Sequence, residues 1–367
     1  MGKRMTLAAS VSSLTAALLF FSVSGCKKTP VGPIEPKDPR TYTWTIDTLD
    51  YPGSAQTIMQ SIWGSSPNDV YVVGHNDGGY GKMYHFDGKA WTPVVLYFPD
   101  RWGNAAIDLG DIYGFASNDI WAVGERILDN PHPPPNFLDS SLVIHFDGMQ
   151  WSEVMLPRKR LLERVWGISP NDIWMGGING TLYHYDGSAV NPDSVPYPIP
   201  ADADPFYNFV SFAGSSAEGP YALLSTPDGR YYMFSHQSGT WAAVDSFFYY
   251  YKTMMWFSPR GTMYITGSGV YRMIGNQWES LGLDAIRPLR ICGADDNNLF
   301  VVGYSSDESS IYGTVYHYNG SDWFEFKQLR LYNGNYGGIW TDGKEVFVVG
   351  SNLYSDFPQK TFILHGK

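Results

Sequence analysis

The sequence predicts an all-β chain folded as one β-propeller of four-stranded blades, and three observations predict it. A motif recurs along residues 42–367 at a spacing of roughly 45 residues, the period of a propeller blade. Turn residues divide each copy into four short strands. The last copy lacks its fourth strand, and the stretch just ahead of the first copy supplies one.

The clearest copy runs Ser61-Ile-Trp-Gly64, Asn68-Asp-Val-Tyr-Val-Val-Gly74, His85-Phe-Asp-Gly88 and Trp91. The second has Ile112-Tyr-Gly114, Asn118-Asp-Ile-Trp-Ala-Val-Gly124, His145-Phe-Asp-Gly148 and Trp151. The third has Val165-Trp-Gly167, Asn171-Asp-Ile-Trp-Met-Gly176 and His184-Tyr-Asp-Gly187. Two fainter copies surround 212–241 and 256–278. The sixth recovers the pattern at Leu299-Phe-Val-Val-Gly303 and His317-Tyr-Asn-Gly320, and the seventh at Ile339-Trp340 and Val346-Phe-Val-Val-Gly350. The legible copies give seven blades, within a range of six to eight.

The first strand of each copy carries an aromatic before glycine. Pro-Asn-Asp then turns the chain into a second strand that is apolar on both faces, as Val70-Tyr-Val-Val73 is. Blades packed between two neighbours require such a strand. The third strand ends at His-aromatic, and Asp-Gly or Asn-Gly supplies the positive φ of a two-residue hairpin turn. The fourth begins at the recurring Trp. The seventh copy stops after His365, while the stretch 42–49, containing Trp44, resembles the missing strand. An N-terminal strand that completes the last blade closes the ring and removes two sheet edges at once.

Ahead of the repeats, Lys3 and Arg4 precede an uncharged apolar run from Leu7 to Val23 that ends in Val23-Ser-Gly-Cys26. This ending resembles the lipobox of bacterial lipoprotein signal peptides. The resemblance implies that residues 1–25 are removed and that Cys26 is acylated. A plain transmembrane anchor is the alternative, but the run is near the lower limit of roughly 17 residues for a span and is interrupted by Ser and Thr. Residues 26–41, with four prolines after the cysteine, predict an extended tether. The expected location is the cell envelope, with the protein extracytoplasmic and held to the membrane by its lipid. Lys27 stands where aspartate marks inner-membrane retention in enterobacterial sorting, so the outer membrane is the expected membrane.

Formal net charge is −11, and it becomes −13 once Lys3 and Arg4 leave with the signal. An acidic chain disfavours nucleic acid as a partner. With Cys26 lipidated, Cys292 has no cysteine to pair with. The repeats resemble those of uncharacterised secreted and lipid-anchored bacterial propellers, and more loosely kelch and sialidase-type propellers. That resemblance implies a fold and no particular reaction.

The recurring His85, His145, His184, His317 and His365, and Asp87, Asp147 and Asp186, sit at equivalent places in different blades and cannot converge on one site. They are expected to bond within blades and to make turns. The same holds for Asp69, Asp119, Asp172 and the tryptophans Trp91, Trp151, Trp241, Trp278 and Trp323. Cys292, where other copies have Trp63 and Trp166, reads as a core thiol. No H-E-x-x-H, C-x-x-C, G-x-S-x-G or Walker pattern is present, and no cofactor or metal is expected. Asp202-Ala-Asp204 lacks the glycine and distal glutamate of a calcium loop. Ser235-His-Gln-Ser-Gly-Thr-Trp241 resembles a sialidase Asp-box without its aspartate. Sialidases need three convergent arginines; Arg164 and Arg290 lie on inner strands, and no third partner is identifiable.

Insertions interrupt the repeat at 125–140, 191–208, 247–251, 304–312 and 351–359. In an up-and-down blade these connections emerge on one face, where binding residues collect. That face is expected to present Trp102, Glu125, Phe137, Tyr207, Tyr250, Tyr312, Tyr336 and Tyr354 to a protein or glycan. The expected function is therefore a binding or assembly protein. A glycoside hydrolase or polysaccharide lyase with its site at the channel mouth is the alternative.

Overall fold

The computed structural model describes residues 37–367 apart from 101–102, 105, 130–136, 158–160, 197–206, 249–251, 308–309 and 353–356. The signal segment, Cys26 and most of the tether lie outside the described residues. Seven four-stranded antiparallel sheets follow in chain order, the first made of Thr57–Ser66, Asp69–Asn76, Met83–Phe86 and Trp91–Pro93. The innermost strands of the next six blades are Ile107–Ala116, Leu162–Ser169, Asn208–Ser215, Lys252–Phe257, Arg287–Asp295 and Gly334–Thr341. Each packs on its successor, and the seventh packs on the first, so the sheets form a seven-bladed β-propeller.

The second strands are the buried layer that the repeat predicts. Val70, Val72, Val73, Val123, Val301, Val302, Val348 and Val349 have no exposed surface. The motif's other residues hold adjacent turns and blades together. Gly88, at φ 87°, leads the two-residue loop Gly88-Lys89, closed by the Asp87 N–H donating to the Ala90 carbonyl (3.4 Å). The glycine thus occupies the first central position, as in a type II′ turn, and Asp87 lies outside the loop. Its carboxylate accepts from the N–H groups of Lys89 and Ala90 at 2.9 and 3.0 Å. A Cβ on Gly88 would sit 2.6 Å from the Asn68 side chain, and Gly148, Gly187 and Gly320 face Asn118, Asn171 and Asn297 in the same way. The Asn-Asp and Asp-Gly motifs recur together because the two turns touch on one face of the disc.

The aromatic-glycine pair works between blades. The Trp340 ring lies where a Cβ on Gly64 would be, Trp63 does the same at Gly114, and Trp166 at Gly214. At Gly167 the ring is Phe115, so Tyr113 is free to turn elsewhere.

The recurring histidines are bonded within their blades. His85, His145 and His184 meet Asp69, Asp119 and Asp172 at 2.7, 2.8 and 2.9 Å, and His365 meets Glu345 at 2.6 Å. Each stacks on a second-strand aromatic, Tyr71, Trp121, Trp174 or Phe347, with centroids 3.9–4.2 Å apart. Burial opposes ionisation of Asp69, but hydrogen bonds from His85 and Ser65 hold its carboxyl below the usual range. His317 is the exception. Its partner is Asn298 at 3.1 Å, its Nδ1 has no partner, and burial together with the charge of Arg40 pushes it down to about 4.

The ring closes as the sequence predicts. Trp44–Leu49 pairs antiparallel with Thr361–Gly366, Trp44 opposite Gly366 and Leu49 opposite Thr361. The fold begins before this strand. Tyr42 packs on Phe300, and Arg40 reaches Asp322 at 3.3 Å beside the Phe324 ring. Residues 37–41, expected in the tether, are therefore held on the propeller, with Pro39–Thr41 as a single 3-10 turn.

The expected insertions include strand. Asp119–Asp129 and Phe137–Phe146 extend blade two as a long hairpin, with Glu125 opposite Ser141. Phe247 and Phe248 end the outer strand Thr240–Phe248 of blade four. The repeat pattern marked only the blade-deep part of these strands, because backbone pairing continues where the motif has stopped.

Two outcomes test this description. Thr43 and Lys367 exchange backbone hydrogen bonds, so by alternation Thr45 does so with His365. Thr45→Pro is expected to speed amide exchange across Thr361–Gly366 and to cost about 1–3 kcal/mol; unaltered exchange there would show that closure does not rest on this strand. Folded His317 binds fewer protons than an unfolded histidine between pH 6.5 and about 4, so stability should fall as pH drops through that window. Asn298→Asp, which restores the pairing of blades one to three, should flatten that fall in pH-dependent melting. An equally steep fall in the variant would place the loss elsewhere.

Candidate binding site in the propeller channel

Seven inner strands bring seven different residues to each level of the central channel. Register with the second strands places Ser61, Asp111, Arg164, Ser211, Met254, Arg290 and Gly338 at one level. Each follows a one-residue register shift in its strand. Two residues further on, Trp63, Tyr113, Trp166, Ala213, Trp256, Cys292 and Trp340 form the next such level. Here the sevenfold repeat is broken, because the motif specifies the second level in most blades and leaves the first free.

The polar groups of the first level, with Thr253 just before it, join neighbouring blades. Asp111 accepts from the Ser61 hydroxyl at 2.5 Å and from the Val165 N–H at 3.1 Å, tying blades one, two and three. Arg164 donates through Nε to the Val210 carbonyl at 2.7 Å, joining three to four. Ser211 accepts from the Met255 N–H at 3.0 Å, and Thr253 donates to the Pro288 carbonyl at 2.8 Å, joining four to five and five to six. The series stops at Arg290. Its Nη1 donates only to the carbonyl of its own neighbour Leu289, at 3.0 Å. Among the described residues neither Arg164 nor Arg290 pairs with a carboxylate. Burial first, and then the charge of Arg164, push the Arg290 guanidinium down to about 10, with Asp111 opposing.

A cavity of about 430 Å³ lies against this level. Its wall includes Asp111, Arg164 and Arg290 and runs past Trp63, Trp166 and Trp340 to Ile168, Ser215 and Ser216 beside the first turns. Of the adjoining level, Val210 and Thr253 reach that wall, and Gln60, Glu163 and Leu289 do not. The cavity therefore faces the side of the disc that carries the short turns, opposite the expected insertion face. Asp111 is the one carboxylate residue in its described wall. Tyr113 also lines it, with its ring edge-on to Phe115, and burial pushes its hydroxyl up to about 12. Cys292 sits at the Trp63 level as expected, and burial raises its thiol far above the ordinary range, so it is not a poised nucleophile.

Of the residues expected to form the insertion face, Glu125, Tyr207, Tyr312 and Tyr336 have described side chains. Trp102, Tyr250 and Tyr354 lie outside the described residues, and Phe137 is described by its backbone alone. Glu125 is half-buried in the blade-two hairpin. Tyr207 packs on Phe209 and covers Gly180, which pins the loop ahead of blade four. Tyr312 is 9% exposed and carries the Arg330 guanidinium over its ring at 4.5 Å. Tyr336 is 2% exposed, and its hydroxyl donates to the Leu329 carbonyl at 2.6 Å. Tyr312 and Tyr336 thus serve the core rather than a ligand-facing surface, because the connection from blade six folds over them. The cationic level was legible only as two arginines on inner strands. Nothing local says that blades three and six present them to one cavity.

No protein-family profile matches the chain, and no curated protein matches it. Solved structures do match. YCF48 bound to a D1 peptide is 14% identical, spanning 88% of this chain and 96% of its own, with a TM-score of 0.59. An ulvan lyase, a polysaccharide lyase solved with a bound saccharide, is 10% identical over 86% of this chain and 95% of its own, at 0.51. A chain of the mitotic checkpoint complex is 12% identical over 95% and 99%, at 0.54. At these identities the likeness shows the fold alone, a seven-bladed β-propeller.

Proposed function

We propose that the protein is a binding protein of the bacterial envelope, carried on a lipid at Cys26, whose propeller holds a protein partner. The observation that carries this reading is the channel level at which Arg164 and Arg290 face a cavity without a carboxylate partner. These guanidinium groups are half-buried in the channel wall, and their unspent N–H donors are open to an anion. A rigid ring that keeps them so is prepared for a ligand. Peptide binding by YCF48, a propeller of similar fold, supports a protein partner by analogy.

The enzyme alternative fits this cavity less well. Glycoside hydrolysis uses two carboxyl groups flanking the bond, whereas Asp111 is the one such residue in the described wall, and it is bonded to Ser61 and Val165. A lyase needs a base to remove a proton, and burial keeps the proton on Tyr113. Support for the anchor comes from Val23-Ser-Gly-Cys26 and the proline-rich stretch behind it.

Two measurements test the proposal. Crosslinking the lipidated protein in its native envelope, followed by capture, is expected to recover a specific protein; retention on envelope polysaccharide with no protein recovered would overturn the reading. Cys26→Ser is expected to abolish labelling by an alkyne fatty acid and to move the protein from the membrane to the soluble fraction. A variant that stays in the membrane fraction would refute the lipid anchor.

A further inference from the structure

We propose that the channel is a carboxylate site in which Arg164 and Arg290 receive the C-terminal carboxylate of a partner polypeptide inserted from the short-turn face. This deepens the binding role and rests on it only for the partner being a protein.

The two guanidinium groups come from blades three and six at one level of the ring and line the same cavity. Arg164 is partly used, with Nε on the Val210 carbonyl and Nη1 on the Glu163 carbonyl at 2.6 Å. Arg290 is hardly used at all. In blade three the arginine reaches the next blade's backbone; in blade six it does not, and its remaining N–H groups have no acceptor among the described residues. A planar fork with unspent donors beside a second cation is what a carboxylate takes up in two-point fashion. Burial and then the charge of Arg164 push Arg290 down, and an anion bound beside the two offsets the second of these.

The cavity's shape selects a chain end. Its wall runs from the short turns to the arginine level, and of the level beyond it Val210 and Thr253 take part while Gln60, Glu163 and Leu289 do not. A ligand entering from the turns therefore meets the cations near the inner end of that wall, where a terminal group arrives first. The side walls are largely aromatic and aliphatic, with Trp63, Trp166, Trp256 and Trp340 among them. They suit apolar side chains in a cavity of the size that holds small ligands.

The same wall argues for a peptide over a uronic acid. A sugar ring needs partners for its hydroxyls, but Ser61 is bonded to Asp111, Ser211 to Met255 and Thr253 to Pro288. What remains unspent at the arginine level is a set of N–H donors suited to an anion. The chain as a whole carries a formal charge of −11, so this cationic spot is set within an acidic protein that repels anions elsewhere.

The test uses the full chain without its signal, with Cys26→Ser to keep it soluble. Calorimetric titration compares an N-acetylated leucine-alanine tetrapeptide bearing a free C-terminal carboxylate, its C-terminal amide, and galacturonate. The acid is expected to bind at least tenfold more tightly than the amide or galacturonate, and Arg164→Gln and Arg290→Gln are each expected to erase that preference. Arg260→Gln, at an exposed arginine paired with Asp295, is expected to leave it unchanged. Arg290→Lys, which keeps the charge without the fork, guards against a variant that fails to fold and should retain a weakened preference. Equal binding of acid and amide, binding by neither, tighter binding of galacturonate, or a preference that survives both arginine substitutions would overturn the site. If the envelope partner is captured equally well by wild type and Arg290→Gln, the binding role stands and the channel site falls.

Discussion

The structure depends on one closure. Seven sheets wedged around an axis keep their spacing only if the last is fastened to the first, and the pairing of Trp44–Leu49 with Thr361–Gly366 does this across almost the whole length of the chain. Everything at the centre follows from that fastening. The inner strands can then pass hydrogen bonds from blade to blade, Ser61 to Asp111, Asp111 to Val165, Arg164 to Val210, Ser211 to Met255 and Thr253 to Pro288. Where the series would continue, Arg290 turns back to its own neighbour. A ring fastened in this way holds that guanidinium facing the channel with most of its donors unspent.

Most of the fold was legible because each repeated residue has a repeated task. Asn68 and Gly88 belong to touching turns, Trp63 fills the space that Gly114 leaves open, and Asp69, Tyr71 and His85 bond and stack as a set. Blades four and five read faintly for the same reason. Ala213 replaces the inner aromatic in blade four, and His236 stands against Trp174 of the preceding blade rather than over a second-strand ring of its own. The local tasks are done there by different residues, while backbone pairing, which leaves little trace in side-chain identity, keeps the four strands.

The site was less legible, for a physical reason. A motif records what is common to the blades, and a binding level in a propeller is made of what differs between them. Arg164 and Arg290 carry no local signature, and their meeting depends on blade count and closure together. Tyr312 and Tyr336, both expected on the insertion face, are buried by the connection after blade six, with Arg330 over one ring and the Leu329 carbonyl holding the other's hydroxyl.

The protein is an acidic ring with two arginines facing its central channel. The most direct measurement is the arginine Nε–H spectrum of the 15N-labelled chain during titration with a peptide that ends in a free carboxylate. Shifts at Arg164 and Arg290, with Arg330 undisturbed in its 2.6 Å pair with Glu325, are the expected result. Shifts confined to arginines outside the channel, with Arg164 and Arg290 unmoved, would contradict the channel as the place where this propeller holds its partner.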